Sequence, residues 1–165
     1  MKKVVYILPI HPAGGERLKV KYNVVVLPKD DRETILTNIQ DADAVVLRLT
    51  RFGQEYIDAA PNLKVIARNG VGVDSVDVPY ATKKGIPIVT TGTANSLPVA
   101  EHAFASACAV YKKLSYLDSE IRKGNWASRD EPGALDMTGK TVGLIGFGKI
   151  GSAFAKMAMG GFDMK

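Results

Sequence analysis

One cysteine, one tryptophan and two histidines are all that this chain holds of three residue types on which much enzyme chemistry depends. A single thiol, Cys108, excludes an internal disulfide, so a reducing, cytoplasmic setting is expected. Cys108 lies in the small-residue run Ala105-Ser106-Ala107-Cys108-Ala109, within a helical pattern, and reads as a packed thiol rather than a reactive one. His11 falls in a Pro-Gly loop and His102 inside a helix, so neither reads as a catalytic base, and no metal site is expected. Aromatics are sparse, with five Phe and six Tyr beside Trp126. The net charge of +5 is spread in ones and twos without aromatic interleaving, which argues against a nucleic-acid surface. A mildly basic enzyme handling small anions fits better. No apolar run approaches the length of a membrane span. Met1-Lys2-Lys3 followed by Val4–Leu8 has the look of a signal peptide, but Pro9 interrupts the run and no small-residue cleavage site follows.

What is present is rhythm. Five nearly continuous apolar runs, Val4–Leu8, Val24–Leu27, Ala44–Leu47, Leu63–Ala67 and Ile86–Val89, read as parallel strands buried on both faces. Helical segments are expected between them, at Gly15–Val20, Arg32–Gln40, Gln54–Ala59 and Val76–Lys84. Asp30 or Asp31 is placed to cap the second, and Gly85 to end the fourth. The pattern predicts an α/β fold whose first part, residues 1–96, is a flavodoxin-like doubly wound domain.

The rhythm then changes. Ser96-Leu97-Pro98 opens what reads as one long helix to Lys123, with Gly124 at its end. A loop follows over 125–140, with Trp126, Pro132 and Gly133 in it, and then Thr141–Ile145 as a new strand. One strand and one helix cannot bury their own faces. Residues 97–165 are therefore expected to be a connecting helix and the start of a Rossmann dinucleotide-binding domain that is incomplete here.

Three constellations carry chemistry. The first is Gly146-Phe147-Gly148-Lys149-Ile150-Gly151, a G-x-G-x-x-G after a strand and opening a helix. Gly146 allows a tight turn, Gly148 lets a pyrophosphate approach the backbone, and Gly151 permits close helix packing, with the helix N-terminus facing the phosphates. The acidic residue that holds the ribose hydroxyls is expected about 20 residues further on, past Lys165, so NAD and NADP are not distinguished. The second is Arg68-Asn69-Gly70-Val71-Gly72-Val73-Asp74, after the fourth strand, where backbone N–H groups can converge on a carboxylate or the glycines can merely turn a corner. The third is Asn95, before the long helix, either a ligand-pocket residue or a cap.

Taken together, Arg68–Asp77, Asn95–His102 and Gly139–Gly151 resemble the D-isomer-specific 2-hydroxyacid dehydrogenases, and most of all their phosphoglycerate-dehydrogenase branch. The resemblance runs along the whole chain in register; Ser75 departs from the Asn more frequent in the family. It implies an NAD-dependent oxidoreductase acting on a D-2-hydroxy or 2-oxo acid, as a homodimer when full length, through the long helix from Leu97. It implies that the Gly70-Val71-Gly72 backbone receives the substrate carboxylate, with Val71 near the nicotinamide. Asn95 would line the substrate pocket, and Arg48 would stand at its mouth. Lys149 and Ile150 would meet the pyrophosphate. The family's catalytic Arg, Glu and His, and the terminal helix that completes its first domain, would all lie beyond Lys165. No catalytic residue is therefore expected in this chain. The rival reading is a catalytically dead fragment or a dinucleotide-sensing, corepressor-like binding module.

Overall fold

The computed structural model describes residues 1–131 and 133–165. Short β-branched runs form β1 (Lys3–Tyr6), β2 (Asn23–Val26), β3 (Ala44–Leu47), β4 (Val65–Arg68) and β5 (Ile88–Thr90). They build one all-parallel sheet in the order β2-β1-β3-β4-β5. This is the flavodoxin-like order, and it matches the fold expected from the apolar runs, with ends shifted by one or two residues. Helices α1 (Pro12–Lys19), α2 (Arg32–Ile39), α3 (Gln54–Asp58) and α4 (Val78–Lys83) connect the strands.

Alternation along each strand sends one set of side chains to each face. Val5, Val45, Leu47 and Ile66 form one core with Ile35 and Ile39 of α2, Ile57 of α3 and Ala81 of α4. Each large aliphatic side chain so buried stabilises the fold by roughly 1.5–3 kcal/mol. Phe52 is fully buried there, stacked on Tyr56 with ring centroids 5.4 Å apart. Caps set the helix starts. Asp31, not Asp30, accepts from the Thr34 N–H at 2.9 Å, and Asp77 accepts from the Tyr80 N–H at 3.0 Å. The Asp77 cap explains why α4 starts at Val78 rather than at the expected Val76. Gly85 ends α4 at φ +71°, as its position suggested. His11 is exposed and caps α1 through its ring, accepting from Ala13 at 3.4 Å.

The chain divides into two units, residues 1–92 and 93–165. In the second, the expected single long helix is two: α5 (Ser96–Tyr111) and α6 (Leu114–Arg122). Lys113 between them is left-handed, φ +52°. A lysine there breaks the helix without the Gly or Asn that marks such positions, and the apolar spacing continues through the break, so the sequence pattern reads as unbroken. A short 3-10 turn, Trp126–Asp130, occupies part of the expected loop; Pro132 lies outside the described residues. The last helix, α7 (Lys149–Phe162), packs on α5. Their core joins Met137, Ala158 and Met164 to Phe104, Cys108 and Phe154, so Cys108 is a packing residue as expected.

Thr141–Ile145 differs from the expected strand. It forms no ladder among the described residues. Its one pairing is at Lys165, whose N–H donates to the Lys140 carbonyl at 2.9 Å and whose carbonyl accepts from Val142 at 2.8 Å. That is a parallel step, the first contact of a β-α-β unit. A strand needs a partner along its length, and the described residues supply one position of it. No helix among the described residues is long and apolar enough to cross a membrane.

Candidate functional site

In open parallel sheets, ligand loops leave from the carboxyl ends of the strands. Here register brings three such ends level: Leu47 lies opposite Arg68, and Arg68 opposite Thr90. The Asn69 N–H donates to the Leu47 carbonyl at 2.7 Å, and the Thr91 N–H to the Gly70 carbonyl at 3.0 Å. The loop after β4 is thus tied to both neighbouring strands. Arg48, at the end of β3, and Gly70-Val71-Gly72 therefore leave the same sheet edge, with Arg48 exposed.

The loop begins with a tight turn in which the Gly70 N–H donates to the Arg68 carbonyl at 2.9 Å, at φ +154° for Gly70. Val71 and Gly72 are exposed, and their amides make no backbone hydrogen bond among the described residues. Two adjacent unengaged donors at a fixed turn suit a small anion. One feature opposes it. A Cβ on Gly72 would stand 2.9 Å from Oδ2 of Asp74, so a carboxylate already folds back against the loop.

The compensating charge was not singled out from the sequence. Arg68 ends β4 with its Nε buried and without a hydrogen-bond partner. It forms no ion pair among the described residues. A Cβ on Gly70 would overlap its guanidinium. The second buried side-chain atom without a partner among the described residues is Ser75 Oγ, at the far end of the same loop. The available signal for Arg68 was a charge closing an otherwise apolar strand.

In the second unit the three fingerprint glycines separate cleanly by cause. Gly146 has φ +97°, a conformation that needs glycine. A Cβ on Gly151 would collide with the Gly146 carbonyl, so Gly151 allows the first turn of α7 to close on the loop. Gly148 has ordinary extended angles, and a Cβ there would meet no protein atom within 4 Å. Neither conformation nor packing among the described residues requires glycine at 148, and the space above it is open to a ligand. Gly148 is the N-cap of α7 and offers no side-chain cap, leaving the helix N–H groups and dipole to an outside anion. Lys149 and Ile150 open the helix, and Phe147 is exposed beside it. Gly146, Gly148, Lys149, Ile150 and Gly151 border an open cavity of about 510 Å³, reached also by Ser96 and Ala103 of α5. The arrangement fits a dinucleotide pyrophosphate.

Asn95 precedes α5, but its side chain makes no capping bond; only its carbonyl engages, accepting from Val99 at 3.0 Å. The cap reading of its side chain is thereby removed. His102 is exposed on α5. No group of three or more metal-ligating side chains occurs among the described residues.

Residues 4–132 match the D-isomer specific 2-hydroxyacid dehydrogenase catalytic domain, and residues 104–165 match the NAD binding domain of the same family. A glyoxylate reductase of Thermofilum pendens is 41% identical over 170 residues, covering 98% of this chain and 50% of its own length. A D-3-phosphoglycerate dehydrogenase of Archaeoglobus fulgidus is 38% identical over 126 residues, 76% of this chain and 24% of its own. The crystal structure of an NADPH-dependent glyoxylate/hydroxypyruvate reductase from Sinorhizobium meliloti, in complex with citrate, superimposes with a TM-score of 0.85. It is 27% identical and is covered over 53% of its length by the whole of this chain. The chain thus spans about half the length of the glyoxylate reductases it matches end to end. It belongs to the D-isomer specific 2-hydroxyacid dehydrogenases.

Proposed function

We propose that this chain is the N-terminal half of an NAD(H)-dependent oxidoreductase that interconverts a D-2-hydroxy acid and its 2-oxo acid. The observation that carries it is Gly148, a glycine at the start of α7 that neither its backbone angles nor its packing explains. Residues 1–96 form the substrate part and 97–165 the connecting helices and the opening of the cofactor domain. Gly146, Phe147, Gly148, Lys149, Ile150 and Gly151 cradle the pyrophosphate, and the nicotinamide supplies or accepts the hydride when bound. The amides around Gly70, Val71 and Gly72 receive the substrate carboxylate. Arg48 leaves the same sheet edge as that loop and serves the same anion, and Asn95, free of a capping role, is a substrate-contacting residue. The substrate is of the 3-phosphoglycerate, glyoxylate or hydroxypyruvate kind. The exposed apolar side chains of Val110, Leu114 and Trp126 support assembly as a homodimer.

The family resemblance implies a proton-transferring His–Glu pair and a substrate-orienting Arg outside these 165 residues, and neither exposed histidine of this chain, His11 or His102, is assigned that role. The 165-residue chain alone should therefore not oxidise NADH with any 2-oxo acid. The full-length protein should, giving D-glycerate from hydroxypyruvate. Turnover by the short chain, or an L product from the full-length protein, contradicts the reading.

A further inference from the structure

Arg68 has a property that the fold does not explain. Charged groups withdrawn from water are normally paired, because the loss of hydration is otherwise uncompensated. Arg68 is half-buried, its Nε is fully buried, and it has neither a hydrogen-bond partner nor an ion pair among the described residues. Its position is nonetheless fixed. β4 pairs on both sides, with Leu47 and with Thr90, so the Arg68 backbone is held at the sheet edge. The guanidinium lies in the space that a Cβ on Gly70 would occupy. The Gly70 turn therefore serves the arginine as well as the loop.

The neighbouring charge sharpens the point. Asp74 folds its carboxylate back to within 2.9 Å of the Cβ position of Gly72, on the loop that offers the amides of Val71 and Gly72. Two amide donors beside a carboxylate make a poor anion site. With a guanidinium fixed next to them the balance reverses, since charge-assisted hydrogen bonds are roughly twice as strong as neutral ones.

We infer that Arg68, seated by the missing side chain of Gly70, is the built-in counter-charge of the Gly70–Gly72 loop and sets its affinity for a carboxylate. This deepens the proposed function and rests on its placing the substrate carboxylate at that loop. Among the described residues nothing offsets the burial of Arg68, and a bound anion would. Glycine at 70 is then required twice, for its backbone angle and for the arginine's seat.

The test uses Arg68→Met, Arg68→Lys, Gly70→Ala and the Arg68→Met/Gly70→Ala double variant in the full-length protein. Oxalate, a dianionic mimic of a 2-oxo acid, is the probe, followed by calorimetry and by its effect on Tm. A merely structural arginine would leave a less stable protein when removed. A counter-charge leaves a more stable one, so Arg68→Met should raise the ligand-free Tm by about 2–4 °C. It should also weaken oxalate binding by about 10- to 100-fold, as loss of a charge-assisted hydrogen bond does. KM for the 2-oxo acid should rise in parallel with little change in kcat, and Arg68→Lys should restore part of the affinity. Gly70→Ala should weaken oxalate binding as Arg68→Met does. In the Arg68→Met background it should weaken binding less than it does in wild type, because only the strain of a side chain at φ +154° remains once the displaced group is gone. A lower Tm in Arg68→Met, oxalate affinity within twofold of wild type, or no oxalate binding by wild type overturns the inference. If wild type binds oxalate but reduces no 2-oxo acid, the proposed function fails while the Tm and oxalate readings still decide the role of Arg68.

Discussion

β4 and the segment Thr141–Ile145 are close in composition, and they meet opposite ends. In β4, Ile66 is 0% exposed, held between two parallel neighbours and covered by helices. In the second segment, Ile145 is fully exposed, at 108%, and one residue pair represents the whole ladder. Apolar β-branched residues set what a segment is suited to; a partner decides whether it becomes a strand. Local geometry needs no such partner. The turn at Gly146, the tight approach of Gly151 and the open N-terminus of α7 are formed directly after a segment that lacks its sheet. The two loops that matter chemically follow these two segments, one on a finished sheet and the other on an unfinished one.

The largest effect that would sharpen this contrast is expected at Gly151. Gly151→Val drives a branched side chain into the Gly146 carbonyl. It should abolish NADH binding by the full-length protein, seen as loss of the bound-cofactor fluorescence change. Retained binding would mean that the loop geometry tolerates a wider approach. Next, Phe52→Ala empties a fully buried site in the first core. It should cost about 3–5 kcal/mol in denaturant unfolding. Asp77→Ala removes the cap of α4 and should cost about 1 kcal/mol by the same measurement. Ile145→Ser should change the stability of the 165-residue chain by less than about 0.5 kcal/mol, the range for exposed positions. A cost comparable to that of Phe52→Ala would mean that Ile145 is buried in solution and that the comparison with β4 fails.

Acid should act on paired carboxylates in both units, Glu120 and Asp136 in the second and several in the first. Asp43 is held below the ordinary carboxylate range, first by the Lys3 N–H it accepts from, then by Lys64. Asp31 is lowered by the Thr34 N–H, and Asp58 by Lys84 and Tyr80. Groups with depressed folded values stabilise above their unfolded pKa, and that contribution is lost as pH falls through the lower folded one. Tm should thus hold from neutral pH down to about pH 4 and decline below it, and Asp43→Asn should flatten the decline. A Tm that rises on acidification would contradict these pairings.

Much of this was legible in the sequence, for physical reasons that differ by element. The five runs from Val4 to Val89 could be read as parallel strands because burial on both faces leaves no polar alternation. Asp31, one of two candidate caps, and Gly85 mark helix ends because their backbone chemistry is local, whereas the Asp77 cap went unread and α4 was expected two residues early. The break at Lys113 was not legible, since it places a residue in the left-handed region without the glycine that announces it. The strand read at Thr141–Ile145 forms no ladder among the described residues, in line with the expectation that its domain is incomplete here. At the candidate site the glycines could be read, but Arg68 could not. Its lack of partners is a fact of three-dimensional surroundings, and in the sequence it is one basic residue among 22.

The most direct test of a dinucleotide site in this chain is Gly148→Ala in the full-length protein, measuring Tm and the NADH dissociation constant together. A Cβ there meets no protein atom within 4 Å, and the backbone angles are ordinary. The account predicts an unchanged Tm with NADH affinity reduced about tenfold or more, because the added methyl enters only the space where the pyrophosphate approaches. Unchanged Tm with unchanged NADH affinity would contradict it.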